Sequence, residues 1–307
     1  MHYMKLNQLR NVSAIAEYGS LRGAARALRL AQPALTRSVH ELEHELGTPL
    51  FERRQRGMTP TPAGDAFVRR ANAILSDVRR AREEVEQISG STQGTLVAGL
   101  SIAAHVALLP HSLRRFRKRY PDVFLHLIEG FFPTLEAGLK EGSIDFYIGP
   151  RPEGPIPEGL VGETLFNHDR SIVCRSGHPL TRILKTRRQV TMADLAGAEW
   201  VTTSITHRVD DELGGLFQKN GLPPPKIVAQ SQSALSLIMT LVYSDMLAMV
   251  PLQFTDFALA RGAVTSIPVK ESLPAPAMVL IKRSGLSITP AAEFFVDLLR
   301  PRSWNGK

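Results

Sequence analysis

Between Phe67 and Ile88, apolar side chains recur at alternating steps of four and three without a miss: Phe67, Ala71, Ile74, Val78, Ala81, Val85 and Ile88. Neither glycine nor proline falls inside the run, so the spacing predicts one unbroken α-helix with a single apolar seam. A seam sustained in this way marks a helix that pairs with a second helix as a coiled coil. A core helix that happens to be heptad-like is the alternative. Arg69, Arg70, Arg79, Arg80, Arg82, Glu83, Glu84 and Glu86 lie between the seam positions and read as a solvated outer face. The helix is placed at 62–89, and Gly90-Ser91-Thr92-Gln93-Gly94 after it reads as a flexible hinge at 90–94.

Such a helix divides the chain into two unlike parts. Upstream, residues 1–61 are helical and compact. Met4, Leu6, Leu9, Val12, Ile15 and Ala16 mark one helix face, and Gly19 ends it. Ser20 can cap a second helix whose Ala24, Ala25 and Ala27 permit close approach. Gln32-Pro33 opens a third, in which Leu35, Val39, Leu42 and Leu46 form a buried stripe before Gly47-Thr48-Pro49 stops it.

Charge is distributed unevenly over these helices. No Asp or Glu occurs between Glu17 and Glu41, yet Arg22, Arg26, Arg29 and Arg37 all fall there. With Leu35, Val39 and Leu42 inside, the third helix presents Gln32, Pro33, Thr36, Arg37 and His40 on the opposite face of its N-terminal half. Its acids Glu41, Glu43 and Glu45 come later. A helix entering the major groove tip-first needs this polarity, with donors and a cation at the entering end and no carboxylate near phosphate. Gln suits adenine, Arg suits guanine, and Thr can meet the thymine methyl. Ser20 and Arg22, at the start of the second helix, join the same candidate face. Downstream, Gly57 can turn a short hairpin with Arg53, Arg54 and Arg56 at its tip, as in a wing. Arg53 and Arg56 are the candidates to grip the nucleic-acid backbone.

From Thr95 onward, apolar strands alternate with amphipathic helices. Candidate strands are Leu96–Leu100, Phe124–Ile128, Asp145–Ile148, Ile172–Cys174, Trp200–Val201, Ile227–Ala229, Met246–Val250 and Met278–Ile281. The alternation argues an α/β domain with mostly parallel sheet. Roughly 210 residues exceed one sheet, so two lobes are expected. The first is placed at 95–166 with 267–300, and the second at 167–266.

Composition narrows the function classes. A net charge of +8, from 37 basic and 29 acidic residues, points to an anionic partner. The N-terminal stretch lacks a secretory signature, no apolar run approaches the ~20 residues of a membrane helix, and a single cysteine allows no internal disulfide. These features point to the cytoplasm. Cys174, with His168, Asp169 and His178 nearby, could suggest a nucleophile and base. It ends an apolar strand, and packing explains it better. His105, His111 and His126 lack metal-ligand spacing, and no phosphate loop of Walker type or strand-linked GxGxxG is present. No enzyme activity, cofactor or metal is expected.

The stretch "GSLRGAARALRLAQPALTRSVHELEHELGTPLFERRQRGMTPTPAG" resembles the N-terminal domain of LysR-type transcriptional regulators. The match rests on Ala24-Ala25, Leu28, Gln32-Pro33-Ala34-Leu35, Leu42-Glu43, Leu46-Gly47, Leu50-Phe51, Arg53, Thr61 and Ala63-Gly64. "LLPHSLRRFRKRYPDVFLHLIEG", "LKEGSIDFYIGP" and "LAMVP" extend the likeness more loosely over the rest of the chain. Two positions depart from the family pattern: Ala31 stands where Ser is common, and Ser244-Asp245 stand where glycines are common. The resemblance implies a multidomain α+β and α/β fold: a winged helix-turn-helix at 1–61, a dimerising linker helix and a two-lobed effector domain at 95–307. That effector domain is similar to a type 2 periplasmic binding protein. The resemblance also implies homodimers, homotetramers built as pairs of dimers, a double-stranded DNA operator and a small-molecule effector. No membrane partner is expected, and RNA polymerase is a further candidate partner.

Hydroxyls and free backbone N–H groups at strand-to-helix turns suit an anionic effector group. Ser101, with Ile102 after it, offers such a turn in the first lobe, and Thr202-Thr203-Ser204 offers one in the second. The resemblance assigns effector contacts to these loops and to Phe131-Phe132; Gln232 is a weaker candidate. Two other readings stay open: an enzyme on the same fold, and an architectural DNA-binding protein without a ligand.

Overall fold

The computed structural model describes residues 4–54, 57–203, 212–257 and 259–300. In the N-terminal module, α1 (Leu6–Tyr18) stops at Gly19, whose left-handed backbone (φ 61°) lets the chain turn at once. The Ser20 hydroxyl then accepts the Gly23 amide at 3.1 Å and caps α2 (Leu21–Leu28). α3 (Gln32–Leu46) starts from Ala31 with no side-chain cap and with proline in its first turn. Val12, Ile15, Ala24, Ala25, Leu35, Val39, Leu42 and Leu50 form the module's core; Leu46, expected in the α3 stripe, is exposed at the helix end, as are Met4 and Leu6 at the start of α1.

The wing is the antiparallel hairpin β1 (Phe51–Arg54) and β2 (Gly57–Pro60). Its position depends on two contacts that the residue pattern does not reveal. The Glu43 carboxylate on α3 accepts the Leu50 and Phe51 amides at 2.7 and 3.2 Å, tying helix to wing. Gly57 also lies so close to the Gly19 carbonyl that a Cβ there would sit 2.3 Å from it.

The helix α4 (Pro62–Ile88) is capped by the Thr61 hydroxyl, which accepts the Gly64 amide at 3.0 Å. α1 packs against it. Here the sequence reading is corrected, because the apolar run serves two purposes. Phe67 packs against the module's own core and Ala71 is buried, so neither is free for a partner helix. Ile74, Val78, Val85 and Ile88 stay exposed, the last two at 66% and 73%.

Lobe I carries β3 (Gln93–Leu100), α5 (Ile102–Ala107), α6 (Leu109–Arg119), β4 (Asp122–Glu129), α7 (Phe132–Glu141), β5 (Phe146–Pro150) and β6 (Leu160–Phe166). Lobe II holds β7 (Arg170–Arg175), β8 (Glu199–Thr202), α8 (Glu212–Lys219), β9 (Lys226–Gln230), α9 (Ala234–Val242), β10 (Ala248–Pro251) and β11 (Val264–Ile267). The chain returns to lobe I with β12 (Met278–Arg283) and α10 (Pro290–Leu299).

Neither lobe is mostly parallel. The lobe I sheet runs β4-β3-β5-β12-β6, with β3 parallel to β4 and β5 but β12 antiparallel to β5 and β6. In lobe II, β7 pairs antiparallel with both β10 and β11, while β8 and β9 are parallel. The reason is topological: β6 leaves for lobe II and β12 returns from it, so the two crossing strands lie side by side in opposite directions. β11 belongs to the lobe II sheet, so the return lies nearer 273–277 than 267. There the Ala275 amide meets the His168 carbonyl, and the Arg170 amide meets that of Leu273.

The charged face of α4 is only partly solvated. Arg80 is only 9% exposed. Its Nε donates to Asp145 Oδ1 at 2.7 Å and its guanidinium to the Gly142 carbonyl at 2.6 Å. Ser76 donates to the same carbonyl at 2.5 Å, and Asp77 pairs with Arg283. The Gln87 side chain donates to the Gln93 carbonyl and accepts the Ala291 amide, both at 2.9 Å. Ser76, Asp77, Arg80 and Gln87 therefore dock on lobe I of the same chain, while Arg69, Arg70 and Arg82 stay exposed as the pattern predicts. β3 begins at Gln93 under that bridge, so Gln93 and Gly94 of the joint expected at 90–94 belong to the strand.

Candidate nucleic-acid interface and interlobe cleft

The fold brings the predicted cationic face together. Gln32, Pro33, Arg37 and His40 are exposed on the N-terminal half of α3, with Arg22 exposed on α2. Leu35, Val39 and Leu42 hold the opposite side in the core. Thr36 is half-buried and its hydroxyl donates to the Gln32 carbonyl at 3.0 Å. Ser20 is half-buried as a helix cap. Arg53 is exposed on the wing while Arg54 pairs with Glu52 at 2.6 Å. Arg56 lies outside the described residues. The uncapped start of α3 leaves its positive end without a side-chain carboxylate.

The cleft is a tighter affair than the sequence suggests. Ser101 is 1% exposed, and its hydroxyl accepts the Ala104 amide as the cap of α5. Ile102 and Val106, on lobe I's α5, pack into the apolar cluster of lobe II beside Val201, Leu237, Ile238 and Phe254. Phe131 packs against that same cluster, whereas Phe132 turns into lobe I against Tyr147. Of the two rings, only Phe131 faces the second lobe. Thr202 and Thr203 are half-buried and Gln232 is exposed; Ser204 lies outside the described residues. The Ser231 amide donates to the Thr202 carbonyl at 2.9 Å, which sets the start of α9 beside the β8 turn.

One cleft residue escaped the sequence reading. Glu129, at the end of β4, crosses to lobe II and accepts the Ala234 amide at 2.9 Å, on the first residue of α9. No local pattern marks it, because its partner is 105 positions away.

The residues that could suggest catalysis are built for packing. Cys174 is fully buried between lobe II strands, and burial pushes its thiol up to about 11. Burial, then the neighbouring Arg170 charge, lower the pKa of His168, which favours the neutral ring. Among the described residues no His, Cys, Asp and Glu group could hold a metal ion, and no helix is long and apolar enough to cross a membrane.

A winged helix-turn-helix joined through a long helix to a two-lobed α/β domain defines a ligand-responsive DNA-binding regulator. The particular family follows from comparison. Residues 6–65 match the bacterial regulatory helix-turn-helix protein, lysR family, and residues 89–304 match the LysR substrate binding domain. The chain belongs to the LysR family of transcriptional regulators, which act by binding DNA and are not enzymes. It is 30% identical over 296 residues to the SDS degradation transcriptional activation protein of a Pseudomonas species, spanning 96% of this chain and 95% of that one. It is 26% identical over 300 residues to the regulator GbpR of Azospirillum brasilense, spanning 98% and 87%. Among solved structures, a full-length OxyR variant from Pseudomonas aeruginosa superposes with a TM-score of 0.72 at 22% identity, covering 98% and 96%. CbnR in complex with its target DNA gives 0.69 at 23%, covering 97% and 99%.

Proposed function

We propose that the protein reads a partly symmetric operator as a dimer, with Gln32, Thr36 and Arg37 of α3 meeting base edges and the Arg53 wing on the backbone. The observation that carries this reading is the acid-free, exposed N-terminal half of α3. Ile74, Val78, Val85 and Ile88 form the pairing surface, an apolar stripe exposed to water in the single chain. Two such dimers make a tetramer, working in the cytoplasm where DNA and RNA polymerase are at hand.

The effector enters between the lobes near Ser101, Phe131, Thr202 and Thr203, and carries an acidic group. Phe131 supports an apolar body for it, since that ring already bridges towards lobe II. Closure reaches the DNA through α7. It begins at the Phe131–Phe132 turn and ends at Gly142, whose carbonyl holds Ser76 and Arg80 of the linker. An open crevice of about 990 Å³, lined by Ala66, Arg69, Ala73, Ala137 and Glu158 among others, leaves α7 room to shift against α4.

Footprinting on DNA flanking its own gene, with and without small organic acids, tests the reading. A protected pair of half-sites whose spacing or hypersensitivity changes with one acid supports it. Uniform protection of all DNA overturns it.

A further inference from the structure

Glu129 and Ala234 meet at the mouth of the cleft, one from each lobe. β4 ends with Glu129 opposite Leu100, so its side chain leaves the sheet beside the Ser101 turn. On the far side, α9 starts next to Thr202; its cap Ser233 accepts the Ser236 amide, and the Ala234 amide at the positive end of this nine-residue helix goes to Glu129. The contact is a carboxylate accepting a helix N-terminal N–H, and it is exposed to water. A small organic acid entering this cleft would seek the same donor with the same chemistry.

We propose that Glu129 is a built-in ligand that selects effectors by competition. It occupies the anion position at the start of α9, so an acid gains that position only by displacing it. The inference rests on the effector-cleft reading and names the group that the effector must replace. Displacement also releases the strand end that leads through Gly130 into α7, and the far end of α7 holds Arg80. Exchange of one carboxylate for another therefore both sets specificity and loosens the lobe I loop. Because the resident carboxylate costs the newcomer only the fraction of time it is in place, the penalty is modest and lifts when Glu129 is removed.

Hydrogen exchange on the full-length protein, read at the first turn of α9 and along α7, tests this with phenylacetate and its uncharged counterpart phenylacetamide. Glu129→Ala should speed exchange at the first turn of α9 while β7 stays as protected as in wild type. Phenylacetate should then restore protection in Glu129→Ala at about tenfold lower concentration than it needs to alter the wild type. Phenylacetamide should do neither. Glu129→Gln, which keeps an acceptor but no charge, should fall between the two. Unchanged exchange in Glu129→Ala, equal action of acid and amide, or equal concentrations for both proteins overturns the proposal. An effector found by footprinting that acts alike on wild type and Glu129→Ala also overturns it, and leaves the cleft reading standing.

Discussion

Arg80 of the linker helix and Asp145 of lobe I form a buried ion pair whose second carboxylate oxygen accepts the Val97 amide at 2.7 Å. Breaking such a pair from one side leaves a charge in low dielectric, at a cost of about 3–5 kcal/mol. Arg80→Met should therefore destabilise by roughly that amount in urea unfolding. Adding Asp145→Asn, which keeps an acceptor for Val97, should recover about 0.5–3 kcal/mol, the coupling expected of contacting groups in one network. Additive losses would show that the two side chains do not act as a pair.

Gly64 is the tightest point between module and linker: a Cβ there would lie 1.9 Å from the Leu50 carbonyl oxygen. Backbone cannot yield as a side-chain end can, so Gly64→Ala should cost several kcal/mol, about 3 or more, and reduce soluble yield. Gly215 in α8 has open space where its Cβ would be. Gly215→Ala should instead stabilise by about 0.5–1 kcal/mol. Thermal melting of both variants checks the contrast.

The exposed stripe on α4 sets a third expectation. Ile74→Glu should split the dimer, because a charge in a paired seam would be buried without a partner. Melting of the N-terminal module should be little affected. Phe67→Glu should do the reverse, unfolding the module whose core it enters. Sedimentation velocity at micromolar concentration separates the two, and a monomeric wild type would contradict the pairing surface.

Much of this architecture is legible in local pattern. Leu35, Val39 and Leu42 announce α3, Gly57 announces the wing, and the 4-3 run announces α4. What stays hidden depends on distant partners. Arg80 looks the same in sequence whether it is solvated or paired with a carboxylate 65 positions away. Phe67 and Val85 share one periodicity although one faces the chain's own core and the other faces water. In the cleft, Ser101 and Thr202 could be marked as turn residues, but Glu129 could not. Its role comes from the lobe across from it. Strand direction was likewise unreadable, since periodicity does not record which way a chain returns.

His168 stands at the crossing between lobes with Asp169 and Arg170 beside it, and burial lowers its pKa. The folded state then binds fewer protons than the unfolded one. The stabilisation from keeping this ring neutral is fully present above the unfolded value of about 6.5 and is lost as pH falls through the lower folded value. Urea midpoints at two pH values on either side of that window should fall further for wild type than for His168→Gln. Equal falls would remove His168 from the account.

Whether α3 reads the bases is tested by comparing wild type and Arg37→Ala for binding to the operator and to random DNA of equal length at one salt concentration. A lost base contact is worth about 1–3 kcal/mol of discrimination. The ratio of operator to random affinity should therefore fall by about fivefold or more, with random binding reduced far less. If the ratio is unchanged, α3 does not read the bases and the account of this protein as a sequence-specific regulator through that helix is wrong.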